Sequence, residues 1–422
     1  MRIFVPYSLL PTPYSLLPIP YSLFPLLLHH IPIVWARVGN ATFTLISLII
    51  IALSLGQAGW FRWLALHIAN WGCGRGHLLF SLVILVGMLL SNVFTNLATT
   101  IVWTAAVMEI LLLLGFSAKA TLAFMFTSGF ITDAASLLLP MSNPVNLIYV
   151  DYLQISWLRY VIVMLPVTVA TIATSIIILW FYFEPQIPLT YNLARLPPPN
   201  RAIRDSLIFK LSFPILGLLL IGYLFAKALN FPIAWIAAMA ALVMVALAAR
   251  SFNGRASRLS YILQLARQLP WRIILLILVL FLFGIGLDNL GITTLLSQRL
   301  EILSNWGLTL AASGSGFLAT FIASVLNNFP TVLLNAKAIE SITDIDPAIK
   351  EVMIYGNLIG CNLGAKITPL GSLSTLLWLN VLGFRGLQIS WVYYIRLTFM
   401  LTMPVLFISL LSLAIWLPWL IA

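Results

Sequence analysis

The sequence predicts an all-α polytopic membrane protein of about ten to twelve transmembrane helices, arranged as two inverted repeats with re-entrant hairpins and broken helices. Three observations carry that prediction. The 422 residues are 62% hydrophobic and only 8% charged, with a mean hydropathy of +1.06, whereas soluble chains carry about 25% charged residues. The apolar runs are continuous rather than alternating, which is the signature of helices and not of barrel strands. Polar, glycine- and proline-rich interruptions recur at matching places in the two halves, the pattern expected of a transporter built from internal repeats.

Ten runs approach the roughly 20 apolar residues that a spanning helix needs. They lie at 42–59, 78–95, 98–116, 120–139, 158–183, 211–228, 231–249, 273–291, 307–326 and 394–420. Shorter apolar pieces at 328–338, 351–362 and 371–383 read as half-helices or hairpin arms. Ahead of the first run stands "PYSLLPTPYSLLPIPYSLFP", a seven-residue repeat from Pro6 to Pro25 whose prolines exclude a continuous helix. Residues 1–30 are therefore expected to be low-complexity sequence, irregular or misassigned at its start. The remaining organisation is a first transport repeat over 31–183, a linker over 184–210 and a second repeat over 211–422.

The net charge of +11 does not point to nucleic acid, because no basic patch is interleaved with stacking aromatics. The cations fall in connections instead. Arg195, Arg201, Arg204 and Lys210 lie in or at the end of the linker, and Arg250, Arg255, Arg258, Arg267 and Arg272 share a stretch without acids. Two helices separate these loops, so both belong on one side, the cytoplasmic side of a cell inner (plasma) membrane. Cys73 and Cys361 are too few for a disulfide framework or metal cluster, and His29, His30, His67 and His77 lack ligand spacing. No cofactor or metal is expected, and no catalytic constellation marks an enzyme.

The interruptions are "SNVFTNLATT" (91–100) and "ITDAASLLLPMSNPVN" (131–146), then "SVLNNFPT" (324–331) and "GCNLGAKITPLGS" (360–372). In each half an Asn/Thr cluster comes first and a Pro/Ser/Gly break follows. Irregular backbone at membrane depth persists only where it is buried in protein or lines a wet cavity. Two hairpins and two broken helices meeting near the midplane would pool amides and hydroxyls into a site for a small solute. The plainer reading is interhelical glue and kinks. Asp133 is the carboxylate best placed inside an interruption, and intramembrane carboxylates mark ion or proton paths. Glu109 and Asp288 are further candidates nearer helix ends. Lys366, set in a glycine-rich break, has three possible roles: attracting an anion, pairing with Asp133 or replacing a coupling cation. Snorkelling is its bland alternative. "GCNLGAKIT" is not a phosphate loop, since Ala365 separates the glycine from the lysine and no strand precedes it.

"GRGHLLFS" (74–81), residues 114–152, "NNFPTVLL" (327–334), "GCNLGAKITPLGSLSTLLWL" (360–379) and "ISWVYY" (389–394) resemble the arsenical pump membrane protein family, within the ion-transporter superfamily of anion carriers and sodium/proton antiporters. The resemblance covers the chain from about Ile31 to its end. It implies export of arsenite or antimonite, driven by protons or by a cytoplasmic ATPase subunit where one is present. Carried over by position, Asn96 matches the first broken helix and Ser142, Asn143 and Asn146 the first hairpin. Asn327, Asn328, Pro330 and Thr331 match the second broken helix; Lys366, Thr368, Pro369, Gly371 and Ser372 match the second hairpin. Asp133 matches the family's acid. Cys361 sits beside this set as a sulfur contact or a small packing residue. The chain departs from the family pattern at Leu97 and Asn362, where acids are common, and at Ala365, where proline is common. The competing readings are a sodium/proton or organic-anion carrier of the same superfamily and a non-transporting membrane protein.

Overall fold

The computed structural model describes residues 24–226, 231–250, 255–269 and 271–421. The Pro-Tyr-Ser repeat up to residue 23 lies outside them. From Phe24 onward the chain is helical, so the last residues expected to be irregular, 24–30, belong to the first helix. Pro25 sits in that helix's first turn, where its missing N–H costs nothing.

The first half comprises α1 (Phe24–Ala58), α2 (Trp60–Trp71), α3 (Gly76–Val93), α4 (Asn96–Leu113), α5 (Ala118–Ala135), α6 (Pro144–Tyr152) and α7 (Trp157–Phe183). The linker holds short 3₁₀ turns as far as Ala202, and its last residues, 206–210, already belong to the next helix. The second half comprises α8 (Ser206–Phe225), α9 (Ile233–Ala249), α10 (Arg255–Gln268), α11 (Trp271–Asn289), α12 (Ile292–Ser304), α13 (Leu308–Leu326), α14 (Asn328–Glu340), α15 (Pro347–Gly364), α16 (Leu373–Phe384) and α17 (Trp391–Ile421). Among the described residues seven helices are long and apolar enough to cross a membrane, or eight if the bent pair α11–α12 is one span. The shorter α9 and α16 are also apolar. This is a polytopic, nearly all-helical membrane protein.

Three helices were not expected from hydropathy. α2 and α12 are short and follow sharp bends, α12 lying 75° from α11. Each bend is made by a glycine in the left-handed region, Gly59 (φ 88°) and Gly291 (φ 83°), a conformation that costs glycine nothing. α10 occupies the basic stretch that reads as a loop, and its Tyr261 hydroxyl donates to Gln57 while Gln57 donates to Gln268. The order bend, short helix, long helix, break, helix, helix, break, helix, long helix thus occurs twice, in α1–α7 and α11–α17.

The linker and the basic stretch share one end of the molecule. Asp205 caps α8 and pairs with Arg250 just past α9 at 2.9 Å, while Arg204 N–H donates to Ala58 O at the end of α1. The linker is fastened further by Arg195 to Leu114 O (3.0 Å) and by an isolated bridge between Thr190 and Arg75. An open cavity of about 930 Å³ lies here, lined by Cys73, Phe116, Tyr191 and Arg195. Partial burial pushes the Tyr191 phenol up from its ordinary value.

The core depends on close backbone approach. α13 and α15 pack along Ala312, Gly316 and Thr320 on one side and Gly356, Gly360 and Gly364 on the other. A Cβ on Gly360 would stand 2.1 Å from Gly316 O. Small residues four apart let two membrane helices touch in this way. The last helices of the repeated order, α7 and α17, pack together, α4 meets α16, and α6 meets α14. Elements of one half therefore complete the surroundings of the other half's breaks.

Candidate functional site

The sequence-selected residues gather where the four breaks meet. The first break, Phe94–Thr95, separates α3 from α4. Thr95 caps α4 by accepting from Ala98 N, and Thr99 donates back across the gap to Leu90 O (3.2 Å). Asn96 starts α4; its amide oxygen accepts from Leu97 N, and its Nδ2 donates to Asp133 Oδ1 at 2.9 Å. Asp133 lies in the last turn of α5, inside the helix rather than in the loop after it.

Lys366 comes from the other half, in the 3₁₀ turn after α15. Its Nζ stands 3.4 Å from Asp133 Oδ2, donates to Phe130 O at 2.7 Å and lies 4.5 Å from the centre of the Phe130 ring. The lysine side chain is 3% exposed and the aspartate 12%, so snorkelling is excluded and pairing with Asp133 is what the fold builds. Beside the pair is a cavity of about 20 Å³ lined by Thr100, Phe126, Thr375, Trp378 and Tyr394, room for about one water.

Ser142, Asn143 and Asn146 stand at the first hairpin. The Ser142 hydroxyl donates toward Ser136 O and Leu139 O, and Asn146 Nδ2 donates to Ser136 O at 2.8 Å. Asn143 caps α6 through Val145 N and donates to Asn362 Oδ1 at 2.6 Å. Asn362 Nδ2 in turn donates to Asn146 Oδ1 at 2.8 Å and to Leu358 O. Three buried amides thus close a chain between the halves. Seven residues separate Asp133 from Pro140 and Asn362 from Pro369, so Asn362 is the second half's counterpart of Asp133.

The second break is a single residue. Asn327 adopts φ 84°, ψ 152°, a strained region for a side chain other than glycine. Its Nδ2 donates to Leu370 O (2.7 Å) and its oxygen caps Phe329 N. Asn328 N–H donates to Gly371 O at 3.0 Å, Thr331 to Asn327 O at 2.7 Å, and Thr368 to Ser324 O at 2.6 Å. Ser372 is buried at the start of α16 but makes no cap bond. Cys361 is fully buried and donates to Asn357 Oδ1 at 3.5 Å.

Glu109 and Asp288 stand apart from this centre. Glu109 pairs with Arg62 at 3.1 Å and Asp288 with Lys337, all partly exposed. Sequence reasoning missed Asn335, Asn357 and Tyr149, buried polar residues of α14, α15 and α6. For Asn335 the signal was an amide at an otherwise apolar helix position, for Asn357 an amide directly after Gly356, and Tyr149 stands in the apolar run three residues after Asn146.

With that geometry established, the comparisons are decisive. The family model described as "Arsenical pump membrane protein" matches residues 24–417. The chain belongs to the arsenical pump membrane protein family. It is 43% identical over 385 residues to the arsenical pump membrane protein of Escherichia coli, covering 91% of this chain and 88% of that one. It is 44% identical, with the same coverage, to that of Yersinia enterocolitica. A putative arsenical pump membrane protein of Bacillus subtilis (strain 168) is 23% identical over 405 residues, covering 92% and 90%. As a member of the arsenical pump membrane protein family the chain is a membrane transporter and not an enzyme.

Proposed function

We propose that this transporter exports arsenite and antimonite from the cytoplasm across the inner (plasma) membrane, driven by the proton gradient. Family membership supports the arsenical substrate. The observation that carries the proton step is the Lys366–Asp133 pair, which joins the two halves at 3.4 Å within the membrane core. A buried pair is costly to break by removing one partner but can exchange a proton as a unit. Protonating Asp133 removes the counter-charge of Lys366, leaves it held to α5 only through Phe130, and so loosens the contact between the halves. Water in the adjoining cavity supplies the route.

In this reading residues 31–183 and 211–422 are two transport repeats joined by a cytoplasmic linker at 184–210. Asn96 orients Asp133, while Ser142, Asn143, Asn146, Asn327, Asn328, Thr331, Thr368, Gly371 and Ser372 build the hairpin tips and breaks that move with it. Asn362, an amide where the family commonly has an acid, leaves Asp133 as the site's one carboxylate partner of Lys366. Arsenite at neutral pH is chiefly an uncharged trihydroxide, so amides and hydroxyls suit it better than fixed charge does.

The test is arsenite accumulation in everted membrane vesicles from a host lacking its own exporter, with the proton gradient imposed and then collapsed. Vesicles without ATP or an ATPase subunit separate the two energy sources. Gradient-dependent uptake that Asp133→Asn abolishes is the expected result. Uptake indifferent to the gradient, or none with the inserted protein present, overturns the reading.

A further inference from the structure

The hairpin tips are poor ground for the substrate itself, because their polar groups are spent on each other. Asn143, Asn362 and Asn146 form a closed chain, and Asn327 is engaged through both ends of its amide. Unspent hydrogen-bonding capacity lies elsewhere. Neither Oδ1 nor Nδ2 of Asn335 has a partner among the described residues, and the residue is 0% exposed. The same holds for Asn357 Nδ2 and the Tyr149 hydroxyl, on residues 1% and 0% exposed. An unsatisfied buried polar group costs about 1–3 kcal/mol, and native proteins keep few of them without a use.

These groups sit on three helices in mutual contact. α14 packs against both α6 and α15. Pro330 and Lys337 face α11, where Pro330 meets Gly284 and Lys337 meets Asp288. Asn335 follows Pro330 by five residues, about 140° around the helix, and so looks away from α11. It lies one heptad after Asn328, whose Oδ1 is also unpartnered. On α15, Asn357 and Cys361 are four apart, on the face next to the Gly356–Gly360 contact with α13. Tyr149 is on α6, which packs against α14 and α15, and it is three residues beyond Asn146, which holds Asn362 of α15. The Cys361 thiol donates to Asn357 Oδ1. That fixes the amide and leaves its Nδ2 to donate.

We propose that Tyr149, Asn335 and Asn357, with Cys361 as the positioning residue for Asn357, bind the transported solute, a small neutral trihydroxide of a trivalent metalloid. This rests on the reading given under Proposed function and moves its substrate site from the hairpin tips to the contact of α6, α14 and α15. The chemistry matches in kind. The solute presents three O–H donors and three oxygen acceptors, and the site presents two amide donors, an amide acceptor and a hydroxyl able to do either. Its hydrogen-bonding atoms are all neutral. Glu340 is exposed at the end of α14. A cation would find no carboxylate there, and an anion no ammonium.

The experiment is thermal unfolding of the purified full-length protein in detergent, with and without sodium arsenite, for the parent, Asn335→Leu and Tyr149→Phe. Replacing an unpartnered buried polar group by an apolar one does not destabilise the fold. Each variant is therefore expected to melt at or above the parent without arsenite. The arsenite concentration giving half-maximal protection is expected to rise at least about tenfold. Cys361→Ser, which keeps a donor to Asn357, should retain most of the protection. Variants protected like the parent overturn the site while leaving the arsenite reading intact. Variants that melt well below the parent without arsenite also overturn it, since those groups would then have protein partners. A parent that arsenite does not protect and that shows no uptake in vesicles overturns both.

Discussion

The two halves solve the same problem, a helix broken inside the protein, in opposite ways. In the first half the break at Phe94–Thr95 has ordinary backbone angles, and the charge is concentrated one helix away, where Asn96 holds Asp133. In the second half the break is one strained residue, Asn327, stitched to the next break by Asn327 to Leu370 O and Asn328 N–H to Gly371 O. The acid's counterpart there is the amide Asn362, locked by Asn143 and Asn146. The first half carries the carboxylate on relaxed backbone; the second carries the lysine, the strained residue and the amide counterpart. Each borrows from the other, Lys366 crossing to Asp133 and Asn143 crossing to Asn362. Each half contributes one partner to the buried ion pair, and each half contributes amides to the network around Asn362.

The largest expected effect tests the helix packing of the second half. Gly360→Leu drives a side chain into Gly316 O, where even a Cβ would stand 2.1 Å away. Backbone cannot yield as a flexible side chain does, so no monodisperse protein should survive size-exclusion chromatography after detergent extraction. In the first half Gly129→Ala meets the Trp378 Nε1 edge at 3.1 Å, a side chain able to give way, and should remain folded.

Asp133→Asn comes next. It leaves a buried ammonium without its counter-charge, a loss of about 3–5 kcal/mol, together with gradient-driven uptake. Adding Lys366→Met should restore most of the thermal midpoint but none of the uptake. A double variant as unstable as Asp133→Asn would remove the pair from its central place.

Strain in the second break can be separated from its hydrogen bonds. Asn327→Ala keeps the unfavourable φ and loses both side-chain bonds, so it should cost roughly 2–3 kcal/mol by thermal melting. Asn327→Gly loses the same bonds but relieves the φ, and should cost clearly less. Equal losses would mean that the backbone there is not strained.

Asn362→Asp makes the second half resemble the first. Its carboxylate accepts from Asn143 as before, but Asn146 must turn its amide over to donate. The expected cost is about 1 kcal/mol, with a second step appearing in the pH profile of uptake. A profile unchanged in shape would show that Asn362 is only structural. Smallest of all is Arg159→Lys. The guanidinium grips Glu351 with two bonds of 2.8 and 2.9 Å, but both side chains are about a third exposed or less than that. Loss of the bidentate geometry should cost no more than about 1 kcal/mol.

The helical class and most spanning segments were legible because a lipid-facing helix has to be apolar along its whole length, and composition alone records that. The two pairs of breaks were legible because glycine, proline and asparagine have no place in an apolar run without a reason. α2, α10 and α12 were not legible by hydropathy: a short helix after a glycine bend, or a basic helix, resembles a connection. The "GNLIGCNLG" spacing of Gly356, Gly360 and Gly364 was in plain view and spells close helix contact, but it was overshadowed by the polar residues between those glycines.

The sequence by itself determined that this chain spans a membrane, where its helices are interrupted and which few ionisable residues stand inside. Those follow from transfer free energies, which each residue carries with it. Only the tertiary structure decided that Lys366 meets Asp133 across 233 positions of chain, that Asn362 is silenced by two amides from the other half, and that Asn335, Asn357 and Tyr149 are left with bonds to give. Pairing and orphaning are properties of a buried group's neighbours, and neighbours exist only once the helices have packed.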